Sequence, residues 1–281
     1  MAARYPFPAV PDGWYALASS AEIARGEERS LRALGCELRL ARGADGELAL
    51  TRRADPASEA LPHCEANGFV YGWYHALGAA PQYGVAALRG EPSGWTPWRS
   101  SAHLVRVHLQ DMTENILDRA HFTSVHDMAA PDRDHFDVRF DGSSLVVDQV
   151  MRVTAVAAAG IEVRSRTVTN GPGLVAVSVK HGPLDMLTYI TQTPVDDERC
   201  EVGLHFSMRQ LPDAAATGRI AELNERITRT QFEQDVPIWE HKTYQERPAL
   251  ADGDGPIAEY RRWFARFYST WRGDGSAREV R

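Results

Sequence analysis

Cysteine is scarce: Cys36, Cys64 and Cys200 are the only three in 281 residues. Three cannot all pair, which excludes a disulfide-built scaffold and points to free thiols in an expected cytoplasmic setting. A long apolar run is missing. Nothing approaches the ~18 residues of a membrane span, so no membrane partner is expected. The opening MAARYPFPAVPDGWY has no basic stretch followed by an apolar one, so no signal peptide is read there. Basic charge is not in excess either: 31 Lys and Arg stand against 38 Asp and Glu, a formal net charge of −7. A mildly acidic chain carries no electrostatic footprint for nucleic acid. Internal repeats and low-complexity tracts are absent too. What remains is the composition of a globular protein, 43% apolar and 25% charged, long enough for two domains or one large one at ~150 residues per domain.

Residues 1 to about 100 carry short strand-like runs among scattered Gly and Pro; GELALTRR, for example, places Leu48 and Leu50 at period two. This predicts a small, mostly β unit. EPSGWTPWRSS (91–101) concentrates Pro, Gly and Ser and reads as a linker or wrapped arm. In DMTENILDRAHFTSVHDM (111–128), Ile116, Leu117 and Ala120 have helical spacing and predict a helix. From about 135 to 210 roughly six strand-like segments follow one another, with turns such as Asn170-Gly171 between them. The period then changes. Ile220, Leu223 and Ile227 predict a long helix over about 213–243, and the tail predicts a short amphipathic one. The expected architecture is α+β, with an antiparallel sheet packed on a long helix in the second unit.

Asp118, His121 and His126 form D-x2-H-x4-H. Two imidazoles and a carboxylate on one metal are the facial triad of non-haem Fe(II) oxygenases. Asp118 and His121 share a helix face, whereas His126 does not. Both histidines reach one ion only if the helix ends or bulges near Ser124. The bland alternative is two ordinary histidines near a helix end. Among other candidates, His103, His108 and His241 read as structural, the cysteines as small buried hydrophobes, and Trp239 and Trp263 as packing aromatics.

The letters around the motif add more. ENILDRAHFTSVH resembles the mononuclear-iron motif of Rieske non-haem iron oxygenases. QFEQDVPIWEHK (231–242) is similar to the family segment that delivers the third ligand. The tail ALADGDGPIAEYRRWFARFY resembles the branch of 3-ketosteroid 9α-hydroxylases and cholesterol 7-desaturases, and PFPAVPDGWYALASSAEIARGE resembles the entry to a Rieske domain. The resemblance implies a Rieske-like β domain over 1–100 and a helix-grip, START-like catalytic domain over 101–281. It implies His121, His126 and Asp235 as ligands of a mononuclear Fe2+, with Asp118 linking the iron histidines to an incoming electron. It also implies a trimer-type homo- or hetero-oligomer.

The sequence departs from the family at the cluster. A Rieske [2Fe–2S] centre needs two Cys and two His, in the family as C-x-H and C-x2-H. In GFVYGW, Gly68 stands where Cys is expected and Tyr71 where His is expected, and LTRRADPASEALP holds no counterpart of the first half-site. No [2Fe–2S] cluster is therefore expected. The electrons would come from a separate donor, a Rieske ferredoxin with its reductase or a cluster-bearing paralogue. The expected function is an oxygenase of hydroxylase or demethylase type, acting on a bulky apolar or ring-containing small molecule. Two alternatives stay open. One is a non-catalytic structural subunit of a hetero-oligomer with a cluster-bearing paralogue. The other is an iron isomerase or hydrolase that needs no external electrons.

Overall fold

The structure is a computed structural model that describes residues 4–53, 60–89, 93–152, 162–250 and 254–271. Three antiparallel sheets form the β framework. The first joins β1 (Gly13–Ser19), β5 (His63–Ala66) and β6 (Phe69–Tyr74) in the order β1-β6-β5. The second is the meander β2 (Glu28–Ala33), β3 (Cys36–Arg42) and β4 (Leu48–Arg52). In β3 the alternation is visible in burial, since Leu38 and Leu40 are fully buried between exposed Glu37 and Arg39. One face packs on the core and the other meets water, as a period of two requires.

The third sheet has seven strands. They are β7 (Arg99–Val105), β8 (Phe136–Asp141), β9 (Ser144–Arg152), β10 (Glu162–Thr169), β11 (Leu174–His181), β12 (Leu184–Pro194) and β13 (Cys200–Met208). Their order is β7-β13-β12-β11-β10-β9-β8, antiparallel throughout. The six segments expected between 135 and 210 are all strands. The seventh comes from the stretch read as a linker: Arg99–Val105 closes the sheet by pairing with β13, and before it Trp95 bridges to Arg209. Residues 91 and 92 of that stretch and 153–161 of the β9–β10 region lie outside the described residues.

The long helix α3 (Ala214–His241) starts at the Asp213 carboxylate, which accepts the backbone N–H groups of Ala215 and Ala216. That satisfies two of the donors a helix start leaves open. Its buried positions Thr217, Ala221, Phe232, Asp235 and Trp239 repeat at helical spacing. Phe232 and Trp239 pack on Val202 and Leu204 of β13 and Val105 of β7. The short helix α4 (Ile257–Phe264) puts Ile257, Tyr260, Trp263 and Phe264 into the largest core cluster, with Leu145 and Val147 of β9 and Leu38 and Leu40 of β3. The N-terminal sheets and the seven-stranded sheet therefore share one apolar core. No described helix is long and apolar enough to cross a membrane.

The single helix expected over 111–128 is corrected. The chain runs as α1 (Leu109–Glu114), a 3-10 turn (Asn115–Leu117), an extended residue at Asp118 with ψ 99°, and then the single turn α2 (His121–Ser124). The reason is local. The Asp118 carboxylate accepts the backbone N–H groups of Ala120 (2.9 Å) and His121 (3.2 Å), so it starts a new turn instead of continuing the old one.

Candidate metal centre

Among the described residues, one group of three His, Cys, Asp or Glu side chains could hold a metal ion: His121, His126 and Asp235. Their ligand atoms all lie within 4.8 Å of one another. His121 leads α2, and His126 follows the end of that turn. Ser124 is the last helical residue, Val125 caps the turn, and Asp127 takes a positive φ of 53°. The helix therefore stops where both imidazoles need it to stop. The two rings lie 5.1 Å apart. Asp235 comes from the buried face of α3, two residues before Pro237, whose missing N–H loosens the last turn.

The nitrogens that face away from the group are already occupied. His121 Nδ1 contacts the backbone carbonyl of Asp118. His126 Nδ1 donates to Gln234 Oε1 at 2.9 Å. These partners select the tautomer in which both Nε2 atoms keep a free lone pair, the state a metal requires. Asp235 Oδ2 lies 3.5 Å from His126 Nε2, too far for a good hydrogen bond, and accepts from Asn115 Nδ2 at 3.2 Å.

Burial shapes the electrostatics. Desolvation pushes the Asp235 carboxyl up to about 6, against the pull of the His126 ring and the Asn115 amide. Desolvation likewise lowers His121, opposed by its contact with Asp118. Among the described residues, Asp235 has no Lys or Arg ion partner. A buried carboxylate without a cation is costly, and a divalent ion between Asp235 and the two Nε2 atoms would supply the missing charge. Metal–ligand bonds of ~2.1 Å set the donor atoms roughly 3.0–3.4 Å apart, so binding would draw the three side chains closer together. The donor set therefore fits a single divalent metal ion.

Charged contacts hold the scaffold of the centre. Asp111 and Glu114 of α1 are buried; Asp111 pairs with Lys242 (2.7 Å) and Glu114 with Arg261 of α4 (2.6 Å). These pairs tie the segment that carries His121 and His126 to the end of α3 and to α4.

The other candidates fall away from the centre. His108 caps α1, and its Nδ1 accepts from Gln110 N. His103 stacks on Phe232. His241 Nδ1 faces the Pro237 carbonyl at the exposed end of α3. Cys36, Cys64 and Cys200 are free thiols. Asn115 and Gln234 were missed in the sequence, although each sits within three residues of a named site residue. At the other motif position, Asn67 and Gly68 form the β5–β6 turn with φ of 55° and 87°. Tyr71 is fully buried, its hydroxyl 3.0 Å from that of Tyr189 in β12. Two cavities, of about 450 and 490 Å3, are lined by none of the triad.

A model of the 3-ketosteroid 9α-hydroxylase C-terminal domain matches residues 72–268. The chain belongs to that family. Among curated proteins it is 28% identical over 237 residues to cholesterol 7-desaturase nvd of Xenopus laevis, covering 74% of this chain and 50% of that one. It is 27% identical over 257 residues to a probable 3-ketosteroid-9-alpha-monooxygenase, oxygenase component, of Rhodococcus rhodochrous, covering 80% and 61%. The chain thus spans half to three-fifths of the length of these relatives. Among solved structures, dicamba monooxygenase bound to dicamba superposes with a TM-score of 0.66 at 13% identity, covering 90% of this chain and 96% of that one. The QL mutant of NdmA of Pseudomonas putida CBB5 with theobromine gives 0.65 at 14%, covering 89% and 88%. At such identities the match is one of fold: mixed α+β, a seven-stranded antiparallel sheet and a long C-terminal helix.

Proposed function

We propose that this chain is the iron-bearing subunit of an oxygenase of hydroxylase or demethylase type, with a Rieske-like unit over 1–100 and the catalytic unit over 101–281. His121, His126 and Asp235 hold Fe2+, which, when bound, supplies reductive activation of dioxygen at its remaining coordination positions. The chain's own residues set up that chemistry. Asp118 starts α2 with its carboxylate and fixes the His121 ring with its carbonyl. It lies half-buried on the segment that a donor would approach, and we assign it the electron-entry role. Gln234 and Asn115 orient His126 and Asp235.

The electrons come from a separate Rieske ferredoxin and reductase, or from a cluster-bearing paralogue in a mixed oligomer. The glycine at 68 and the tyrosine at 71 support that reading, since neither offers a cluster ligand. The substrate is a bulky apolar or ring-containing small molecule. The relatives named for cholesterol, 3-ketosteroid, dicamba and theobromine support this. The observation that carries the proposal is the His/His/Asp group with both Nε2 atoms free. A purely structural subunit has no need of such a buried group.

Metal analysis after anaerobic loading tests it. About one Fe per chain and no acid-labile sulfide is the expected result. Failure to retain iron, or stoichiometric sulfide, would overturn it.

A further inference from the structure

The first described residues of the chain run across the end of the helix that carries Asp235. The Arg4 guanidinium donates to three backbone carbonyls at once. Its Nε and Nη2 meet the Lys242 carbonyl at 3.2 and 2.8 Å, Nη2 also meets that of Trp239, and Nη1 meets that of Arg106 at 2.8 Å. Trp239 lies in the last turn of α3, and Lys242 caps it. The last carbonyls of a helix lack intrahelical donors, and a cation beside them is favoured by the helix dipole. Pro237 sharpens the need. It stands between Asp235 and the carbonyls that Arg4 holds, and its missing N–H leaves the end of α3 one bond short.

The third carbonyl, that of Arg106, lies on the short link between β7 and α1. Helix α1 is thereby engaged at both ends. At its start, the Tyr5 and Phe7 rings lie 5.3 and 4.6 Å from the capping residue His108, whose Nε2 faces the Pro8 carbonyl at 3.0 Å. Lys242, held by Arg4, pairs with Asp111 of the first turn. In the middle, Met112 packs in the cluster of Phe232 and Trp239. Just past its end, Asn115 donates to Asp235 at 3.2 Å. The way α1 lies on α3 is therefore fixed by Asn115 on the metal side and by Arg4 on the other. The donor set is split between the same two elements: His121 and His126 follow α1 in the chain, and Asp235 belongs to α3.

Resting on the metal reading proposed above, we infer that Arg4 is a positioning residue for the metal centre. It clamps the end of α3 to the start of α1 and so sets the spacing between Asp235 and the two imidazoles. Arg4 bonds to none of the three ligand side chains. It acts through backbone carbonyls, which a planar fork of five N–H groups reaches together and a lysine ammonium, a point donor on a flexible stem, does not.

The test is the Co2+ affinity of the full chain, read from the visible absorption of the bound ion in competition with a chelator, well below the melting temperature. Arg4→Ala keeps all three donors and weakens binding about tenfold, the low end of what an orienting contact contributes to a metal site. Arg4→Lys, with fewer carbonyls in reach, lies between Arg4→Ala and the wild type. Tyr71→Phe separates position from stability: it removes a buried hydroxyl contact elsewhere in the fold, lowers the melting temperature and leaves the affinity unchanged. Wild-type affinity in Arg4→Ala, or an equal loss in Tyr71→Phe, overturns the inference and leaves the metal centre standing. A wild-type chain that binds no Co2+ overturns both.

Discussion

Residues 118–127 and residues 68–71 stand at the two places where the family pattern expects metal ligands, and they are built from opposite materials. In the first, a helix is broken at Asp118 and stopped after Ser124. The interruptions bring two imidazoles and a carboxylate from α3 within 4.8 Å. In the second, a tight Asn67-Gly68 turn leads into a tyrosine that spends its hydroxyl on Tyr189. One stretch gives up regular structure to gather donors; the other uses its residues for packing. A motif is therefore to be read residue by residue, since in one chain one such stretch gathers possible donors while another serves packing.

The sharpest way to break the contrast is to remove a donor. His121→Ala or His126→Ala leaves a two-ligand group and loses most of the iron, by metal analysis after desalting. Asp235→Ala loses less, because water can fill a carboxylate position. Full iron in His121→Ala would remove the triad. Asp118→Asn keeps much of its iron and loses most donor-dependent turnover. Wild-type turnover in that variant would remove the electron-entry role.

A second expectation concerns pH and two buried histidines away from the triad. His205 lies on the face away from α3, against Phe69, and burial lowers it to about 4. Burial does the same to His108. The unfolded chain takes up these protons near pH 6.5, the folded chain only near pH 4. Stability is thus complete above about pH 6.5 and falls as pH drops toward about 4, by up to about 3 kcal/mol per group. Urea melts across that range follow the loss. His205→Asn flattens its share without changing iron content at neutral pH, and an unchanged pH slope would contradict the assignment.

Smaller effects refine the picture. Gln234→Leu frees the His126 ring and weakens iron binding about tenfold in a chelator competition. Tyr71→Phe removes one buried hydroxyl contact and costs about 1 kcal/mol of stability, with iron binding untouched. If Tyr71→Phe changed iron binding, the two regions would not be independent.

Much of this was legible in the sequence. The alternation between 135 and 210 and the helical period of α3 pointed to the strands and the helix that are seen, and the letters around the motif singled out His121, His126 and Asp235, which the fold brings together. The misses have physical causes. Ile116, Leu117 and Ala120 keep helical spacing across Asp118, so periodicity could not register a side chain capping its own successors. Strand β7 hid in a Pro- and Gly-rich stretch, because its partner in β13 lies about a hundred residues away in the chain. Asn115 and Gln234 act only once α1, α2 and α3 meet.

The central claim is an iron centre that depends on electrons from another protein, and oxygen uptake tests it most directly. Iron-loaded protein with a ring substrate, NADH and oxygen should be silent. Adding a ferredoxin–reductase pair or the cluster-bearing paralogue should start substrate-dependent oxygen consumption. Turnover of substrate under strict anaerobiosis, with no reductant present, would contradict the account and favour an isomerase or hydrolase instead.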